Sequence, residues 1–285
     1  LYGEDHIYSH NVLGSEESLE EITLEDLKAF YEAAVSPHLA KFHTVGFVSQ
    51  DQVVTSLERI ASDWERSELE IPEYKTPENL TTSTIYFYDV PGAKQSVLRF
   101  GYLALPAGHE DYYPATVMNY RLGGGGFASI LTQELREGKG YTYGIRSSFS
   151  GSEETGTFTI TSGVRSNVTY ESTQLIKELV SNYGEQFDEE DLEVTKDFML
   201  KSSARAFETL GAKLGMVQNI SNYGWEEDYV TERQAFVKQL SIEEVKSLIS
   251  EYIRPGQMHF LIVGDAATQL EGLKKLGLGD PVILN

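Results

Sequence analysis

Ile22-Thr23-Leu24-Glu25-Asp26-Leu27-Lys28 and Leu240-Ser241-Ile242-Glu243-Glu244-Val245-Lys246 are two versions of one heptapeptide, 218 positions apart (22 to 240). The same step carries Pro37 onto Pro255 and Gly46 onto Gly264 without a gap. In both versions a hydroxyl residue, Thr23 or Ser241, stands where a helix N-cap belongs, and an acidic residue follows three positions later. Apolar residues then recur at helical spacing: Leu24, Leu27, Phe30 and Tyr31 in the first version, Ile242, Val245, Leu248 and Ile249 in the second. Pro37 and Pro255 end those helices. Apolar runs with the look of strands come next, Phe42 to Val48 and His259 to Val263. A last helix closes each unit, carrying Val53, Val54 and Leu57 or Leu270, Leu273 and Leu276. Correspondence through cap, proline and glycine points to an internal duplication.

The duplication sets the expected domain organisation. A long run from about Ser83 precedes the second version and belongs with it, whereas the first has only residues 1–22 before it. Residues 1–64 are therefore expected to be the C-terminal portion of a truncated first domain, and residues 83–285 a complete second domain of the same fold. Residues 65–82, with Pro72, Pro77 and several acids, have the composition of a linker.

Within residues 83–285 the pattern predicts strands at Thr84 to Asp89, Ser96 to Ala104, Tyr141 to Ser150 and Gly156 to Gly163. Helices are predicted at Tyr113 to Leu122, Phe127 to Arg136 and repeatedly between Asn167 and Ile253, with a strand and a helix at the end. Strands and helices that group in runs argue for an α+β fold, with helices packed on one face of a mixed, mainly antiparallel sheet.

Composition narrows the function. Lys and Arg number 23 against 44 Asp and Glu, a formal charge of −21. That balance speaks against nucleic acid as a partner. It would suit cationic peptides by electrostatic steering, beside the plainer reading of an acidic soluble surface. No apolar run approaches the about 20 residues that cross a bilayer, so no membrane partner is expected. There is no cysteine, hence neither a disulfide nor a thiolate metal site.

Chemistry concentrates in Leu122 to Gly144, LGGGGFASILTQELREGKGYTYG. Four glycines break a helix, and no Gly-Lys-Ser/Thr ending makes them a phosphate loop. After the next helix come Glu134-Leu135-Arg136-Glu137 and Gly140-Tyr141-Thr142-Tyr143. This segment resembles the Arg/Tyr segment of pitrilysin/insulinase-type (M16 family) zinc peptidases, close to L-R-E-x-x-G-L-x-Y. Tyr141 replaces the common Leu, and the seven-residue step from Arg136 to Tyr143 is kept. The duplication and the Val263-Gly264-Asp265 ending are also similar to that family.

The resemblance implies a zinc endopeptidase whose metal sits on an inverted H-x-x-E-H helix in another domain. Tyr143 would then donate to the developing oxyanion, and Arg136 would hold substrate carbonyl groups. The partners implied are a peptide substrate and a zinc-bearing N-terminal half, on the same polypeptide or a partner subunit. This sequence contains no H-x-x-E-H. His6 and His10 have no acid between them and read as surface histidines, His109-Glu110 lacks the second histidine of H-E-x-x-H, and His38, His43 and His259 are isolated. Zinc is thus expected in the parent protein and none on this chain. The alternative is a structural or assembly subunit in which Arg136 is a cation at a helix C-terminus and Tyr143 a strand aromatic.

Overall fold

The computed structural model describes the chain apart from residues 5, 66–68, 70, 73, 74, 76, 80 and 285. The stretch read as a linker, 65–82, thus lies partly outside the described residues. The chain divides into two compact units. One comprises Glu78–Ala204 and Tyr223–Asn285, with Leu1; the other comprises Tyr2–Pro77 and Arg205–Asn222.

The smaller unit holds α1 (Glu16–Glu21), α2 (Leu24–Ala34) and α3 (Gln50–Asp63). Each begins on a serine or threonine whose side chain closes a capping box: Ser15 with Ser18, Thr23 with Asp26, Ser49 with Gln52. In the larger unit lie α4 (Tyr112–Asn119), α5 (Ile130–Thr132), α6 (Thr169–Gln186) and α7 (Glu189–Ser203). After them α8 (Leu210–Tyr223) falls almost wholly in the smaller unit, where Ser221 O accepts from Lys41 Nζ at 2.8 Å. The helices α9 (Tyr229–Gln239), α10 (Ile242–Tyr252) and α11 (Ala266–Leu273) return to the larger unit. The division of the chain thus sets α8 apart from the other helices between Asn167 and Ile253.

The larger unit is a six-stranded sheet of β1 (Ile85–Asp89), β2 (Gln95–Ala104), β3 (Thr142–Gly151), β4 (Gly156–Arg165), β5 (His259–Gly264) and β6 (Val282–Leu284). They lie side by side in the order β3-β4-β2-β5-β1-β6. The pairs β3/β4, β4/β2 and β2/β5 are antiparallel, and β1 runs parallel to both β5 and β6. Helices cover one face. Phe87, Leu98, Phe100, Phe158, Ile160 and Ile262 point into a core that also takes Met118, Ile176, Tyr183, Val245 and Ile249 from the helices. The expected α+β sandwich of helices on one face of a mixed, mainly antiparallel sheet is what the chain forms.

Two elements depart from the sequence reading. Residues 42–48 form no strand. A strand exists through its ladder. Here β5 has β2 and β1 beside it, while the smaller unit has no other strand among its described residues, and Phe42 and Phe47 are exposed. The chain also does not finish on a helix, because β6 adds itself to β1. Three residues are too few for a period-two signal to register.

The two versions of the heptapeptide otherwise match closely. The step of 218 carries the bounds of α2 onto those of α10, and Ser241 forms its capping box with Glu244 as Thr23 does with Asp26. Burial differs sharply: Leu27 is 57% exposed and its counterpart Val245 1%.

Candidate functional site

The glycine run is held by its neighbours on both sides. After α4 the chain widens into a π-turn at Tyr120–Gly124, then makes a 3-10 turn at Gly126–Ala128. Asn119 clamps the first of these to β3, donating to Ser147 O at 2.9 Å and accepting from Ser147 Oγ at 2.5 Å. A Cβ on Gly123 would fall on the Ser147 hydroxyl and 2.5 Å from its amide nitrogen, so only glycine lets this turn lie on the strand. The other side is fixed by Arg121. Its guanidinium is paired with Asp191 of α7 (Nη2–Oδ1 2.5 Å, Nε–Oδ1 2.6 Å) and donates to Ala128 O. Both partners of this pair are largely buried. The neighbouring Tyr183 phenol donates to Met118 O at 2.6 Å; burial first, then the Asp191 charge, pushes its pKa well above the ordinary tyrosine value.

Ser129 restarts the helix as N-cap of α5, and a second π-turn, Gln133–Gly138, follows. Leu135 is buried, which leaves its neighbour Arg136 to reach outward. The Arg136 guanidinium lies 4.4 Å from the centre of the Phe127 ring and has a loose ion pair with Glu137 (3.3 Å). Gly140, at φ +62°, turns the chain into β3. π-turns concentrate at functional positions, and this segment has two.

Tyr143 is aimed by a β-bulge. Pairing of β3 with β4 slips between Thr142 and Ile145. The Thr142 hydroxyl holds the distortion: it lies 2.8 Å from Gly144 O and 2.7 Å from Gly163 O, and accepts from Gly144 N (3.0 Å) and Ser162 Oγ (2.9 Å). With Thr142 buried, Tyr143 is thrown out and is 89% exposed.

Arg136 and Tyr143, singled out in the sequence, line one open hollow of about 390 Å³. Gln95, Gly140 and Arg165 also line it, and Arg165 Nη2 donates to Gly140 O at 3.3 Å. Two guanidinium groups and a phenol are donors, suited to carbonyl or carboxylate oxygens. The sequence reading missed three contributors: Arg165, whose signal is its place at the end of an alternating strand, and Thr142 and Phe127, which gave none.

The histidines stay apart. His6 accepts from Tyr8 N at 3.1 Å, His109 accepts from Asp111 N at 3.0 Å just ahead of α4, and the His259 ring is buried beside Tyr86. Among the described residues no three His, Asp or Glu side chains are grouped so as to hold a metal ion. A zinc ion therefore finds no fitting donor set in these residues.

Comparison with known proteins agrees with the fold. Residues 21–199 match the family described as "Peptidase M16 inactive domain". The chain belongs to that family. It is 28% identical over 218 residues to the "Uncharacterized zinc protease YmxG" of Bacillus subtilis (strain 168), covering 75% of this chain and 51% of that protein. The chain thus spans about half the length of this curated relative. A crystal structure of a peptidase M16 inactive domain from Pseudomonas fluorescens superposes with TM-score 0.80 at 23% identity, over 93% of this chain and 63% of that one. A protease from Helicobacter pylori does so with TM-score 0.78 at 18% identity, over 88% and 61% respectively.

Proposed function

We propose that this chain is the C-terminal part of a zinc-dependent endopeptidase acting on peptides, and that it supplies Arg136 and Tyr143 to a zinc site carried by an N-terminal half. That half lies on the same polypeptide or on a partner subunit. What carries the reading is the hollow shared by the two residues in a chain of the M16 inactive-domain family. In support, the relative that extends to twice the length is named a zinc protease. The Tyr143 phenol would donate to the oxyanion that forms when a peptide carbonyl is attacked, and Arg136, steadied by Phe127, would hold neighbouring carbonyls.

The domain layout belongs to the same proposal. In it residues 83–285 make up the second domain, although α8 groups with the smaller unit, and residues 1–64 are the end of a preceding one. The apolar residues left exposed on α2, Leu24, Leu27, Phe30 and Tyr31, correspond to α10 residues that face the core of the larger unit. They are the side of α2 that an upstream sheet would cover.

The test is Tyr143→Phe in the full-length protein, supplied with zinc and assayed on a peptide library. Loss of one oxyanion donor should lower turnover by about 10²-fold or more with the melting temperature unchanged. Arg136→Ala should in addition raise KM. If both residues serve only structure, as in an assembly subunit, turnover of the folded variants would be unaltered and their stability reduced.

A further inference from the structure

The sheet face turned away from the helices carries a charge opposite to that of the chain. Strand alternation places Arg99 of β2, Arg146 of β3 and Arg165 of β4 on it. None of the residues whose pairing puts them on this face is Asp or Glu, in a chain where acids outnumber bases 44 to 23. All three arginines are exposed, and among the described residues none has an ion pair. Arg99 and Arg146 both register against Thr161, one from each side. With strands about 4.8 Å apart, their Cα atoms stand about 10 Å apart across the sheet. A peptide in the polyproline II conformation advances about 3.1 Å per residue with three residues per turn, so carboxylates three positions apart lie on one side of it, about 9 Å from each other. Arg165 lies four residues further along β4 and lines the hollow of Arg136 and Tyr143, which makes the charged face and the hollow continuous.

We infer that this face is a docking surface for peptide segments carrying Asp or Glu about three residues apart, and that it selects acidic substrates. The inference rests on the peptidase reading only for what becomes of the bound peptide. Three unneutralised guanidinium groups on one face, with no carboxylate there to compete, would repel cationic segments and hold acidic ones. The overall charge of −21, taken alone, pointed to cationic peptides; the local arrangement on this face reverses that choice.

The experiment uses the full-length protein with a chelator present, so that no turnover disturbs equilibrium. Fluorescein-labelled twelve-residue Gly/Ser peptides bearing Glu, Gln or Lys at every third position are titrated and followed by anisotropy. The Glu peptide should bind about tenfold tighter than the Gln peptide at low salt, a gap that closes as salt is raised. In R99Q/R146Q/R165Q the gap should vanish, and R146E alone, on an exposed edge-strand position, should shift preference towards the Lys peptide. Equal binding of the three peptides would overturn the inference, as would a Glu preference that survives the triple variant. A triple variant that melts lower while still preferring the Glu peptide would assign the arginines to an internal contact. Cleavage is scored separately with zinc restored: peptides left uncut would sink the peptidase reading and leave the binding result standing.

Discussion

Tyr143 owes its exposure to the hydroxyl beneath it. Thr142 Oγ1 is within hydrogen-bond distance of two carbonyls, one amide and one serine hydroxyl, all inside the bulge that turns Tyr143 outward. Thr142→Val keeps the shape and removes that hub. It should lower stability by about 1–3 kcal/mol, because buried polar partners are left unmet. It should also reduce turnover of the full-length protein through a mis-aimed Tyr143; denaturant unfolding and a peptide assay check the two effects. The Arg136–Tyr143 pair could be read from the sequence because it is a spacing within one short segment. Thr142 and Phe127 could not, since a bulge and a cation–π stack arise only once β3 has paired and the glycine run has folded back. Arg165 falls between: alternation gives its side of the strand but not its closeness to Gly140.

Helix starts were the most legible elements. Thr23 with Asp26 and Ser241 with Glu244 form reciprocal caps from residues three apart, which is local chemistry. The Glu244 carboxyl is held below the usual glutamate range by the Ser241 backbone N–H it accepts and, next, by the Ser241 hydroxyl. A lowered folded value means the contribution is fully present above the ordinary glutamate range and is lost as pH falls through the folded value. Melting temperatures of wild type and Glu244→Gln should therefore differ most near neutral pH and converge as pH falls below the ordinary glutamate range. Strands were legible only where they had partners. Residues 42–48 were read as the counterpart of β5 and form no ladder, since periodicity describes a side chain's preference and not its neighbour. The three residues of β6 were invisible for the opposite reason: parallel pairing with β1 creates the strand.

The two versions of the heptapeptide make the molecule its own control. Val245 is buried against the helical face of the sheet, and Leu27, its counterpart, is exposed. In residues 1–285, Val245→Ala should cost about 2 kcal/mol and Leu27→Ala less than about 0.5 kcal/mol. In the full-length protein the Leu27 change should rise to about 2–4 kcal/mol as an upstream sheet covers α2. Chemical denaturation of both lengths checks this; equal Leu27 costs would remove the layered first domain from the proposal. The α+β layering of the larger unit was foreseeable from runs of strands and runs of helices, but the assignment of α8 to the other unit was not, because no local pattern records which body a helix joins. One feature of that sheet reaches beyond the single molecule. Val282–Leu284 occupy the side of β1 that β5 does not, and all three are solvent-exposed. Peeling away so short a strand would bare the backbone groups that Tyr86–Tyr88 turn towards it, in a segment with no proline. Such an edge is a template for the growth of intermolecular β-ladders. Those three residues thus stand between β1 and self-templated pairing at this side of the sheet.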